Sequence, residues 1–148
     1  MTQEDKEIIM TSITEDYVSF ETAKLLKENG FNSKCIAYYL VFNENIKFYE
    51  CNNLGQSLPY ISNDNWTIIL RNPLESGYTA PTLQMVMKWL REVHNLYIDI
   101  RININNSLYS FKIYSVGISG ARAFTEYRIK SYESACEEAI KYCLKHLI

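Results

Sequence analysis

A chain of 148 residues that is 47% hydrophobic is long enough to bury roughly two-thirds of the surface of its unfolded form, so it reads as one globular domain over residues 1–148. A formal net charge of -2 supplies no overall attraction to nucleic acid or to anionic membrane surfaces. No basic region leading into an apolar stretch opens the chain, and the longest apolar run, Cys35 to Phe42, is far below the roughly twenty residues that span a bilayer, so a soluble, cytoplasmic, non-membrane protein is expected.

Residues 2–12 read as a short helix opened by Thr2, with Glu4, Asp5 and Glu7 in its first turn. The next helix is signed at both ends. Ser19 is its N-cap, Phe20 to Asn29 its body and Gly30 its left-handed stop, while Phe31 is placed to contact Leu26 and Val18 to staple onto Ala23. Cys35 to Phe42 and Ile46 to Glu50, rich in aromatic and β-branched residues about a turn at Asn43-Glu44-Asn45, predict a β-hairpin. Residues 51–78 are punctuated by turn clusters, with a short strand expected over Trp66–Leu70 that pairs with the sheet.

The clearest element follows. Thr79 or Thr82 can cap a helix whose first position suits Pro81, and Leu83, Val86, Met87, Leu90 and Val93 recur at helical spacing, with Asn95 as a left-handed stop. Ile98, Ile100, Ile102 and Ile104 then alternate with Tyr97, Asp99, Arg101 and Asn103, the pattern of a half-buried strand. After a turn at Asn105-Asn106-Ser107, Leu108 to Val116 returns as its antiparallel partner, with either face arguable as the buried one. Ala123 to Ile129 reads as a further edge strand, and Ser131 caps a last helix carrying Tyr132, Ala135, Cys136, Ala139, Ile140, Cys143, Leu144 and Leu147 at core spacing. The order predicts an α+β fold, an antiparallel sheet built from two hairpins with helices packed on a face, as a two-layer sandwich in αββ then αββα order.

No motif carries chemistry. Cys35, Cys51, Cys136 and Cys143 include no CxxC pair and read as buried free thiols, and His94 and His146 share no metal-ligand spacing with them. Glycine-rich phosphate loops, GxSxG and HExxH are absent, so no catalytic residue, cofactor or metal is assigned. Two groups remain as binding candidates. Trp89, Arg91, Glu92 and His94 cluster at the end of the central helix, where Trp89 lies off the apolar stripe and could serve a protein partner, or else cover the edge of the core. From Arg101 to Lys130, the bases Arg101, Lys112, Arg122, Arg128 and Lys130 face one acid, Glu126, with Tyr97, Tyr109, Tyr114 and Tyr127 interleaved. Such a surface suits single-stranded nucleic acid, although it also balances an acidic N-terminal part.

The segments ETAKLLKENGF (Glu21–Phe31), Ala80-Pro81-Thr82 and KWLREVHN (Lys88–Asn95), with the closing Leu147-Ile148, resemble a family of small phage- and prophage-encoded proteins from gut bacteria. The matched segments cover about a third of the chain; the stretches 52–78 and 117–130 lie outside them. The resemblance implies a phage or mobile-element setting in the cytoplasm of a bacterial host and brings no catalytic or binding residue with it. The expected function is therefore binding, to another protein such as a host factor or a second copy in a homo-oligomer; the alternative is nucleic-acid association through the basic second hairpin.

Overall fold

The computed structural model describes residues 13–51, 60–66, 69–70 and 72–148, so the helix expected over 2–12 lies outside the described residues. Helix α1, Phe20–Glu28, starts where Ser19 Oγ accepts a hydrogen bond from the Thr22 amide at 3.3 Å, and it ends where Gly30 takes φ +84°. The Phe31 amide donates to Leu26 O at 2.9 Å, and both side chains are buried, the hydrophobic closure such an end favours.

Strands β1, Ala37–Phe42, and β2, Asn45–Glu50, form the expected hairpin. Its two-residue loop puts Asn43 and Glu44 at φ 49° and 66°, the left-handed pair whose twist matches that of the flanking strands. The other edge of β1 is taken by β3, Ser76–Thr79. Of the strand expected over Trp66–Leu70, residues 67 and 68 lie outside the described residues. Trp66, Ile69 and Leu70 belong instead to a turn in which the amides of Ile69 and Leu70 both donate to Trp66 O, at 3.0 and 2.9 Å. Tight local bonding leaves those groups unavailable to a ladder, and β3 supplies the third strand.

Helix α2, Leu83–His94, is capped by Thr82, whose Oγ1 accepts from the Met85 amide at 3.2 Å, and is stopped by Asn95 at φ 55°. It leads into β4, Leu96–Asn103, which pairs antiparallel with β5, Leu108–Ser115; the short β6, Ala123–Phe124, adds to the far side of β5. Helix α3, Tyr132–Tyr142, is capped by Ser131 and widens into a π-helical turn, Cys143–Leu147.

The protein is α+β, with antiparallel sheets and helices packed against them. Each hairpin forms two strands of its own three-stranded sheet, in the orders β2-β1-β3 and β4-β5-β6. One hydrophobic cluster joins them. It takes Ala23 and Leu26 from α1, Ala37 from β1, Val86 and Leu90 from α2, Leu96, Phe111 and Ile113 from β4 and β5, and Ala135, Cys136, Ala139 and Ile140 from α3. Of the two faces open to β5, the one bearing Tyr109, Phe111 and Ile113 is turned inward. Ile98 and Ile100 pack on the same core, whereas Ile104, 85% exposed, belongs to the turn and Ile102 stands near that end of the hairpin, mostly outside.

The opposite face of the first sheet has a smaller cluster of Tyr38, Cys51, Ile61 and Trp66. Trp66 lies flat over Gly77 of β3, so that a Cβ built there would meet the indole at 2.3 Å. Lys27 extends from α1 to the same strand, donating to Gly77 O at 2.7 Å, with its ammonium 4.8 Å from the Tyr78 ring centroid. Gly77→Ala is therefore expected to destabilise the fold by about 1–3 kcal/mol through overpacking, read as a lower denaturant midpoint with an unchanged slope.

Candidate functional site

In β4 and β5, alternation that sends Ile98, Ile100, Phe111 and Ile113 inward sends Tyr97, Asp99, Arg101, Lys112 and Tyr114 to the opposite face. Register sets their neighbours: Tyr97 stands opposite Tyr114, Asp99 opposite Lys112 and Arg101 opposite Ser110. Strand β6 places Phe124 beside Lys112 on the same face, while its Ala123 packs on the core. Among the described residues no helix covers this face. Phe124 is 69% exposed, and Tyr97 and Tyr127 are exposed as well.

Arg101 Nε donates to Asp99 Oδ2 at 2.8 Å. That bond, with the charge of Asp99, holds the guanidinium pKa above its ordinary value, and the nearby Tyr114 and Tyr127 phenols push in the same direction. Arg101 is thus oriented by the Asp99 carboxylate, with the Tyr114 and Tyr127 phenols nearby.

The sequence-derived basic set is divided by the fold. Arg101, Lys112 and Tyr114 come together on the open face. Arg122 donates through Nη1 to Ser115 Oγ at 2.8 Å, at the end of β5. Arg128 pairs with Glu138 of α3, which draws it toward the helical side, and Lys130 follows Ile129, itself buried in the core. A charge already matched by a carboxylate releases fewer counterions on meeting a phosphate, and both Arg101 and Arg128 are matched in this way.

The group at the end of α2 is spread around the helix. Trp89 packs against the core, edge-on to Phe31 with centroids 5.3 Å apart and to His94 at 4.7 Å. His94 Nε2 is buried without a hydrogen-bond partner among the described residues. Glu92 is exposed beside Lys88 at 3.9 Å, and Arg91 is half-buried. The indole is engaged with the fold and with His94, while Glu92 is the one exposed member of the four.

Tyr97, Tyr114 and Tyr127 are among the interleaved tyrosines legible in the sequence; Phe124 escaped that reading. Phe124 joins this face only through the pairing of β5 with β6, which no local pattern encodes. Among the described residues no three His, Cys, Asp or Glu side chains converge as metal ligands, and no helix is long and apolar enough to cross a membrane. No protein-family model matches the chain, and neither a curated protein nor a solved structure matches it.

The four thiols are buried and unpaired with one another. Burial pushes Cys35 and Cys136 up to about 11 and Cys143 up to about 12, and raises Cys51 as well. The thiolate is the reactive species, so all four are expected to label slowly with a thiol reagent in the native protein and quickly after unfolding. Folding favours the neutral thiols, which stabilises the native state below the ordinary value of 9.0 and is lost as pH rises toward 11. The denaturation midpoint is therefore expected to fall on raising the pH above 9, in the same direction as the raised Tyr17 and Tyr39 phenols require.

Proposed function

We propose that this chain is a binding protein whose partner is another protein, docked on the open face of the β4-β5-β6 sheet. The observation that carries this reading is the patch itself: Tyr97, Tyr114, Phe124 and Tyr127 arranged about Arg101 and Lys112 on a sheet face without a helical cover among the described residues. Tyrosine, phenylalanine and arginine are the residue types that protein interfaces concentrate, because each combines a large contact area with few rotatable bonds or a forked donor. A helix or sheet of a partner laid across Phe124 would desolvate the Arg101–Asp99 pair and strengthen it.

Association with nucleic acid is the second reading, favoured by the stacking surface of these rings beside Lys112. The ion pairs of Arg101 with Asp99 and of Arg128 with Glu138 weigh against it, since they leave few bases free to neutralise phosphates. The setting we propose is the cytoplasm of a bacterial cell carrying a phage or mobile element, supported by the resemblance of Glu21–Phe31 and Lys88–Asn95 to small phage- and prophage-encoded proteins.

A photo-crosslinking residue at position 124, expressed in bacterial cytoplasm, is expected to capture a discrete protein that the same residue at the exposed Lys24 of α1 does not. Tyr97→Ala and Arg101→Ala are each expected to weaken that complex by about thirtyfold, from hot-spot losses of about 2 kcal/mol. Identical products from both positions would sink the reading. Salt-sensitive binding of oligonucleotides, abolished by Lys112→Ala, would favour the alternative.

A further inference from the structure

We propose that a second copy of this chain pairs with the outer edge of β2, joining two first sheets about a twofold axis at Phe48. Strand β2 is terminal in its sheet, and no described residue pairs along its outer side. The phase of its hydrogen bonding is set by Cys51, whose amide donates to Ile36 O. Residues 45, 47 and 49 therefore direct their main-chain groups toward β1, and Ile46, Phe48 and Glu50 direct theirs outward.

This edge has few of the usual defences beyond its short length and the charges of Lys47 and Glu50. It contains no proline, its register with β1 runs unbroken from Asn45 to Glu50, and Lys47 is its only base. The outward-bonding residues include two apolar side chains, Ile46 at 48% and Phe48 at 41% exposure. Both project on the same face, where Phe48 already meets Tyr17 and Tyr39 with ring centroids 5.3 Å away in each case.

Charge and the number of paired residues select the register in which the strand can meet its own copy. An antiparallel pairing of two β2 strands can centre on Lys47, Phe48 or Tyr49. Centred on Lys47, it sets two ammonium groups directly opposite, which is destabilising. Centred on Tyr49, it leaves Ile46 beyond Cys51 of the other strand, without a counterpart in the ladder. Centred on Phe48, all three outward residues exchange both main-chain bonds, and Ile46 lies opposite Glu50 of the second copy. In this register Phe48 meets Phe48 at the axis, and each Lys47 stands against a Tyr49 ring rather than another cation. The edge is thus complementary to itself. A six-residue strand contact falls short of the roughly 1,000 Å² expected of a stable interface, so the association is weak and concentration-dependent.

The test is sedimentation across the micromolar to millimolar range, together with amide hydrogen exchange resolved by residue. Self-association is expected, and rising concentration should slow exchange at Ile46, Phe48 and Glu50 while leaving Lys47 and Tyr49, already bonded to β1, unchanged. Ile46→Glu, which sets a carboxylate against Glu50 of the second copy, should weaken association at least tenfold; Ile46→Lys should preserve or tighten it. Ile46 is exposed enough that unchanged thermal unfolding can certify both variants. A protein that stays monomeric, exchange at Phe48 independent of concentration, or equal effects of the two substitutions would each overturn the proposal. Tyr97→Ala should leave self-association intact, so this outcome is separable from the fate of the binding face.

Discussion

The closing helix is what the remaining architecture rests on. Ala135, Cys136, Ala139, Ile140, Cys143 and Leu144 are all buried, and their helix packs against β4 and β5 while also touching α1 and α2. Small side chains at four of these positions let the backbone approach its neighbours closely, and Ile140 and Leu144 fill the remaining space. Burying those two contributes about 2 kcal/mol each, which makes apolar contact the dominant attachment. Polar tethers then set its orientation. Glu137 Oε1 accepts from the Ser19 amide at 2.9 Å and from Thr22 Oγ1 at 2.6 Å, so the start of α1 is held by the last helix in the chain. Lys141 and Lys145 reach Glu21 from the same side, in solvent that screens the attraction.

That placement explains why the two sheets differ outside the core. The first has side chains packed on both faces: α1 and an aromatic group of Tyr17, Phe20, Tyr39, Phe48 and Tyr78 on one, and the Trp66 cluster on the other. Its exposed feature is therefore an edge, β2. The second sheet spends its inner face on α3 and α2 and has no described element over its outer one, so its exposed feature is a face. A face offers side chains and selects a partner by shape and chemistry; an edge offers main-chain groups and selects by strand direction and register. The two surfaces are suited to different occupants within one small protein.

Much of the local architecture was legible in the amino-acid sequence. Ser19, Thr82 and Ser131 cap their helices, Gly30 and Asn95 terminate two of them in left-handed conformations, the first hairpin forms where strand-rich residue types flank a turn, and the second where alternation placed it. Those signals are local, since caps, stops and period-two faces follow from bonding and sterics within a few residues. The third strand of the first sheet was not legible, because Ser76-Gly77-Tyr78-Thr79 has neither alternation nor a β-branched run to announce it. What makes it a strand is the free edge of β1 and a glycine that lets Trp66 lie across it.

The same division governs the candidate sites. Residue types and short-range periodicity settled the α+β class, the helix ends and the inert setting of the cysteines. They also brought Arg101, Lys112 and Tyr114 into view as a set. Only long-range packing decided that Arg128 turns to Glu138 and that Trp89 joins Phe31 and the core. It alone carries Phe124 to Lys112 through the pairing of β5 with β6. Contacts between residues far apart along a chain depend on which edges and faces other elements have already occupied, and no window of neighbouring residues contains that information.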